Sequence, residues 1–247
     1  EIKKNLHRMK GNKFLRDLCS ETNFTIAHFV QPLFTSELVD EKEKIEGLKD
    51  NFVMNIEDTI RQIDNDINSG VNNFLLFISS KSKSIDSFNL EYHQKVISSI
   101  KDRFRHDINL WTDVCLCSLT SHGHCCLFDA KGSIDLDKTL LEISSIALAY
   151  AEAGSDIIAP SDMMDGRTLR IRDTLDKSNF SMTPIVSYST KFSSNFYGPF
   201  RNAANSTPSF GDRKQYQLDY RNRSEAIRAS IRCAEEGADM LMVHKNY

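Results

Sequence analysis

The residues most able to do chemistry are three cysteines close together in the sequence, Cys115, Cys117 and Cys125. Cys115 and Cys117 stand two positions apart, so on an extended backbone both sulfurs point to the same side. The polar turn 120–123 can then bring Cys125 back towards them. Thiolates are soft ligands that favour zinc, and a set of three leaves a fourth tetrahedral position for water or substrate. The spacing therefore predicts a catalytic zinc site.

A structural role is the alternative interpretation of Cys115 and Cys117, because free cysteine is a common small filler on the inner face of a buried strand. That interpretation does not account for Cys125, nor for His122 and His124, which follow the predicted strand. Metal binding is therefore the better hypothesis for this segment.

A second reactive group is Lys191, which ends an apolar segment rich in small hydroxyl residues. At an apolar barrel mouth, burial and nearby cations lower the pKa of a lysine, whose neutral amine can attack a ketone to form a Schiff base. Arg201 and Arg213 follow the same segment, and guanidinium groups bind carboxylates through paired hydrogen bonds. The alternatives are a surface lysine and ordinary ion-pair partners. Together, the three residues predict a site for an acidic substrate that carries a ketone.

These residues come after predicted strands that alternate with helices. Glycines 70, 154 and 237 each follow a helical stretch and precede a short apolar run, which is typical of a helix C-cap leading into a buried parallel strand. Such alternation predicts an α/β protein, either doubly wound or a (β/α)8 barrel with its site at the carboxyl edge of the sheet. We expect strands at 29–34, 69–77, 108–116, 153–159, 183–188 and 236–243, and helices at 56–68, 90–104, 137–153, 166–177 and 224–236.

The composition suits one large α/β domain, since 40% of the 247 residues are hydrophobic. With 31 basic and 34 acidic residues, the net charge of -3 favours neither nucleic acid nor membrane as a partner. No apolar run is long enough to span a bilayer, and the six cysteines lack the spacing of a disulfide scaffold. We expect a cytoplasmic protein, with an organelle such as a plastid as the alternative if a transit peptide has been removed.

Seven motifs together resemble the porphobilinogen synthase family, also called δ-aminolevulinic acid dehydratase, in its zinc-type branch. They occur in the family order between residues 24 and 243. The motifs are Asp113-Val-Cys-Leu-Cys, Thr120-Ser-His-Gly-His-Cys, Ala159-Pro-Ser-Asp-Met-Met-Asp-Gly, Ser187-Tyr-Ser-Thr-Lys, Phe196-Tyr-Gly-Pro-Phe-Arg, Gly211-Asp-Arg and Glu236-Gly-Ala-Asp-Met-Leu-Met-Val.

The resemblance implies a (β/α)8 TIM barrel at 27–247 and an N-terminal arm at 1–26 that embraces a neighbouring subunit of a homo-octamer. It also implies the condensation of two 5-aminolevulinate molecules into porphobilinogen, by Schiff-base chemistry assisted by Zn2+. The residues assigned by motif are Lys191 and Asp113 as catalytic groups, Arg201, Arg213, Gln217 and Phe200 as substrate-binding groups, and Cys115, Cys117 and Cys125 as zinc ligands.

The sequence departs from the family pattern near its end. A second Schiff-base lysine is expected directly after Val243, but His244 stands there and Lys245 comes one residue later. A one-residue slip on a strand turns the side chain to the opposite face. The last two barrel strands also have no counterpart, so we expect a barrel truncated after its sixth strand that makes little or no porphobilinogen. A non-catalytic homologue is the alternative. A generic Schiff-base aldolase would leave the cysteines unexplained.

Overall fold

The computed structural model describes residues 8, 10–193 and 206–244. Within them, strands and helices alternate along the chain. The helices are α1 (Lys13–Leu18), α2 (Ile56–Asn68), α3 (Glu91–Phe104), α4 (Leu136–Glu152), α5 (Arg167–Lys177) and α6 (Arg223–Glu235). The strands are β1 (Val30–Ser36), β2 (Glu43–Lys44), β3 (Phe52–Met54), β4 (Asn73–Ser79), β5 (Asn109–Val114), β6 (Ile157–Pro160), β7 (Val186–Lys191) and β8 (Met240–His244).

The strands of the described chain form two sheets that together make part of a barrel wall. The larger sheet has the order β2-β3-β1-β4-β5-β6, and the smaller sheet pairs β7 with β8. Every pairing is parallel except that of β2 with β3. A single bridge between Ile158 and Ile185 joins the two sheets. The α/β fold with a parallel sheet is therefore confirmed, and the described strands do not close into a ring.

The predicted elements match the observed ones closely. Helices α2 to α6 begin and end within one residue of their predicted bounds, and the six predicted strands correspond to β1 and β4 to β8. The short strands β2 and β3 were not predicted. Local chemistry explains where α2 begins, since the Asn55 side chain accepts a hydrogen bond from the Asp58 amide at 2.8 Å.

The main hydrophobic core lies between the larger sheet and helices α2 to α5. Apolar residues line one face of each of these helices, as Val96, Ile97 and Ile100 do on α3, where all three are fully buried. On the inner face of the strands, a second cluster contains Leu75 of β4 and Tyr188 of β7. This inner cluster packs the two sheets together beneath the carboxyl ends of their strands.

The N-terminal segment makes little contact with this core. Helix α1 buries none of its residues, and Phe14, Leu18 and Phe24 are each more than three-quarters exposed. In the described part of the chain, no helix combines the length and the apolar character needed to cross a lipid bilayer.

Candidate active site

The carboxyl ends of four strands bring the reactive side chains together. Asp113 lies in β5, Asp162 follows β6, Lys191 ends β7 and His244 ends β8. Lys191 and His244 are direct partners in the parallel pairing of β7 with β8. Because carboxyl ends of parallel strands meet at one edge of a barrel, residues distant in the sequence share one site.

Lys191 is buried at the centre of this site, with 7% of its surface exposed. Its Nζ donates a hydrogen bond to the Ser161 carbonyl oxygen at 2.8 Å and lies 5.5 Å from the centre of the Tyr188 ring. Burial raises the pKa of Asp113 to about 7, and the nearby Lys191 opposes that rise. A buried lysine and a carboxyl group that titrates near neutrality are therefore close neighbours.

The three cysteines converge as a candidate metal centre. Their sulfur atoms all lie within 4.8 Å of one another, and all three residues are buried. A zinc-sulfur bond of about 2.3 Å places two sulfurs of a tetrahedral site about 3.8 Å apart, so this spacing fits a zinc-sized ion. Within the described residues, Cys115, Cys117 and Cys125 form the one group of ligand side chains with such geometry.

The convergence of the cysteines arises from a turn and not from strand periodicity. Strand β5 ends at Val114, and a 3-10 turn begins after Cys115, whose sulfur accepts a hydrogen bond from the Cys117 amide at 3.5 Å. The prediction of two sulfurs on one face of an extended backbone is therefore wrong in its geometry, although the sulfurs do meet. The tight turn brings Cys117 back beside Cys115, where the Cys125 loop joins them.

The thiol groups of this cluster differ in their acidity. The pKa of Cys117 lies well below its ordinary value, because Cys115 and Cys125 donate hydrogen bonds to its sulfur and because Arg213 and Lys191 are nearby. Burial raises the pKa of Cys115 well above its ordinary value. The cluster therefore favours one thiolate held by its neighbours, and binding of a divalent ion would release the remaining protons.

The two histidines beside the cysteines hold a covering segment, residues 206–217. The ring nitrogens of His124 make hydrogen bonds with the Phe210 carbonyl oxygen at 2.9 Å and with the Tyr216 hydroxyl at 3.1 Å. The His122 carbonyl accepts a hydrogen bond from the Ser209 amide at 3.0 Å. These histidines thus connect the cysteine loop to the segment above it, a role that their spacing in the sequence did not reveal.

The covering segment carries two of the predicted substrate-binding residues. Arg213 and Gln217 are 4% and 6% exposed, and Arg213 donates a hydrogen bond to the Gly123 carbonyl oxygen at 3.1 Å. Arg213 Nε, Gln217 Oε1 and Asp113 Oδ1 are buried and have no hydrogen-bond partner among the described residues. Buried polar atoms are almost always paired, so three unpaired atoms at one site indicate a place for a ligand. The other two predicted residues, Arg201 and Phe200, lie outside the described residues.

His244 occupies the position next to Lys191 on the neighbouring strand. Its ring stacks on Tyr188, with the ring centres 5.9 Å apart. Burial and the nearby Lys191 lower the pKa of His244 to about 4, so the imidazole is neutral at neutral pH. Lys245 lies outside the described residues.

A parallel α/β barrel wall with a buried lysine and a three-cysteine cluster at its carboxyl edge is typical of the barrel enzymes, whose active sites lie at that edge. The sequence model of the delta-aminolevulinic acid dehydratase family matches residues 3–246. The chain therefore belongs to the delta-aminolevulinic acid dehydratase family.

Individual relatives agree with this assignment. The chain is 40% identical to the delta-aminolevulinic acid dehydratase of Helicobacter pylori over 97% of its own length and 75% of that protein. It is also 40% identical to the Bacillus subtilis enzyme, over 96% of this chain and 74% of the relative. The crystal structure of the Toxoplasma gondii enzyme in complex with the reaction product porphobilinogen superposes with a TM-score of 0.91, at 34% identity, over 99% of this chain and 71% of that one.

Proposed function

We propose that the chain carries the chemistry of porphobilinogen synthase, the condensation of two 5-aminolevulinate molecules into porphobilinogen. One observation carries this proposal. The buried amine of Lys191 faces a site in which Asp113, Arg213 and Gln217 each hold a buried polar atom that has no hydrogen-bond partner among the residues that the structure describes. The amine of Lys191 can react with a ketone, and the guanidinium of Arg213 can bind a carboxylate. A γ-keto acid carries both groups.

Lys191 acts as the nucleophile. Its Nζ adds to the ketone carbon, the carbonyl oxygen leaves as water, and a carbon-nitrogen double bond remains. Asp113, whose pKa burial raises to about 7, is able both to accept and to donate a proton during this dehydration. Arg213 and Gln217 hold the substrate carboxylate. The family resemblance adds Arg201 to this group and Phe200 to the substrate-binding residues, and both lie outside the described residues.

The metal that we propose for this site is Zn2+, with Cys115, Cys117 and Cys125 as its ligands. Three buried sulfurs within 4.8 Å of one another support this choice, because soft ligands favour zinc over magnesium. When bound, zinc would supply a Lewis acid with a fourth position open to water or substrate. Arg213 lies close to Cys117, so its positive charge partly offsets the negative charge of the Cys117 thiolate before the ion binds.

Reductive trapping tests the role of Lys191. The protein is incubated with 5-aminolevulinate or levulinate and borohydride, digested, and the adduct located by peptide mass. We expect the adduct on Lys191, its loss in Lys191→Met, and its retention in Lys177→Met, which removes an exposed lysine paired with Asp173 on α5. An adduct that persists in Lys191→Met, or no adduct in the unaltered protein, contradicts the proposal.

An impaired homologue is the second candidate function. It is favoured by His244, which lies in register with Lys191 where the family resemblance expects the second Schiff-base lysine. An imidazole forms no stable imine, so one covalent anchor is absent and the second substrate loses orientation, which is worth several powers of ten in rate. We expect His244→Lys to increase porphobilinogen formation. An ordinary enzymatic rate in the unaltered chain, or no gain in the variant, would remove this candidate.

We propose further that residues 1–26 form an arm which docks on another copy of the chain, in an octamer like that expected for the family, while 27–247 form the barrel domain. The exposed side chains of Phe14 and Leu18 on α1, and of Phe24 beyond it, support this role, because exposed large apolar groups are typical of an interaction surface. Sedimentation should show smaller assemblies for Phe14→Ser combined with Leu18→Ser. A cytoplasmic location agrees with the six free thiols, and an organelle is the alternative.

A further inference from the structure

Arg167, the first residue of α5, is the largest fully buried side chain in the described chain, with 1% of its surface exposed. Its Nη2 donates hydrogen bonds to the Tyr188 carbonyl oxygen at 2.7 Å and to the Ser187 hydroxyl at 3.2 Å, both on β7. Its Nη1 donates to the Met164 carbonyl oxygen at 3.0 Å. Because burying a guanidinium is costly unless it is paired, this arrangement calls for a reason beyond packing.

The partner of Arg167 is Asp162, which is fully buried after β6. The Arg167 Nε atom lies 3.4 Å from Asp162 Oδ1, and Asp162 Oδ2 accepts a hydrogen bond from the Met164 amide at 2.9 Å. One guanidinium thus ties the segment 161–164 to strand β7. That segment contains Ser161, whose carbonyl oxygen accepts the hydrogen bond of the Lys191 amine.

Arg167 therefore contacts both supports of Lys191, the strand that carries the lysine and the segment that accepts its hydrogen bond. It also supplies the counter-charge for Asp162. The other charged or titratable groups near Lys191 are Asp113 of β5, Cys117, Tyr188 of β7 and His244 of β8.

We propose that Arg167 is a positioning residue for Lys191, which fixes the amine for attack on the substrate ketone by holding Asp162 and the Ser161 carbonyl against β7. This inference rests on the proposed function of Lys191 as the nucleophile. The role is one of orientation and not of substrate binding, since Arg213 and Gln217 hold the carboxylate. Loss of Arg167 should therefore lower the rate of imine formation and leave the affinity for the keto acid nearly unchanged.

Cyanoborohydride trapping of levulinate on the full chain tests this inference. The rate constant at saturating levulinate and the half-saturating concentration are measured for the unaltered protein, Arg167→Met, Arg167→Lys and a matched control, Arg172→Met. Arg172 lies on the same helix and donates to the Thr183 and Phe180 carbonyl oxygens at 2.7 and 3.0 Å, away from Lys191. We expect Arg167→Met to lower the saturating rate by about tenfold or more, with the half-saturating concentration within about twofold.

Arg167→Lys keeps the charge beside Asp162 and should recover part of the lost rate, whereas Arg172→Met should trap within about twofold of the unaltered protein. Equal saturating rates in Arg167→Met and the unaltered protein, or equal losses in Arg167→Met and Arg172→Met, would overturn the inference. If circular dichroism shows that Arg167→Met does not fold, Ser187→Ala is measured in its place. This variant removes one hydrogen bond of Arg167 and should also lower the rate of trapping. An unaltered rate in Ser187→Ala overturns the inference. Failure of the unaltered protein to trap levulinate would instead refute the proposed function.

Discussion

His93 of α3 offers a test of how burial sets the acid stability of this fold. The residue is 1% exposed, and its ring stacks on Tyr150 of α4 with the ring centres 5.8 Å apart. Burial lowers the pKa of His93 to about 4, and the nearby backbone of Ile78 offsets only part of that effect. The folded protein therefore keeps this imidazole neutral over a pH range in which the unfolded chain protonates it.

The sign of the effect follows from proton binding in the two states. The folded pKa of about 4 lies below the ordinary value of 6.5, so between these pH values the unfolded chain binds the additional proton. The free energy of unfolding therefore falls as the pH falls through this window. At about 1.4 kcal/mol per pH unit, His93 lowers stability by about 2 kcal/mol at pH 5 and by about 3 kcal/mol below pH 4.

Urea unfolding at pH 7.5, 6 and 5 measures this contribution. We expect His93→Phe, which keeps an aromatic ring against Tyr150, to reduce the loss of stability between pH 7.5 and pH 5 by about 2 kcal/mol. The matched control is His106→Gln, which removes an exposed histidine just beyond α3 and so shows whether burial, and not the loss of any histidine, causes the effect. The reasoning is refuted if His93→Phe and the unaltered protein lose stability equally over this range.

Two further predictions concern the cysteine loop. Elemental analysis should find one zinc per chain, and the double variant Cys115→Ala, Cys125→Ala should lose it. The control Cys233→Ala, which changes a buried cysteine of α6, should keep the zinc. Equal zinc content in the unaltered protein, the double variant and the control would exclude the site. Gly123 has a φ of 70°, and a Cβ at this position would collide with the Thr207 carbonyl. Gly123→Ala should therefore lower the free energy of unfolding by about 1–3 kcal/mol and speed proteolysis within residues 206–217. Unchanged urea unfolding and cleavage rates would contradict this packing.

The alternation of strands and helices follows from the sequence, because it depends on local patterns. Apolar residues at helical spacing and glycines before short apolar runs predicted α2 to α6 within one residue at each end. Parallel strands then require that Asp113 and Lys191 meet at one edge, so the existence of a site there was also predictable. Lys191 and the three cysteines could be named from residue type and spacing, since few other residues supply an amine nucleophile or soft ligands.

Other features of the site depend on contacts between segments far apart in the chain. Whether His124 binds a metal or holds the covering segment is decided by where Phe210 and Tyr216 lie, and residue spacing carries no information about that. The burial of Arg167 beside Asp162 likewise arises only when α5 packs against β7. Local patterns record the periodicity of a single element. The charge state, burial and hydrogen bonds of a side chain are set by its neighbours in space, so only the assembled fold determines them.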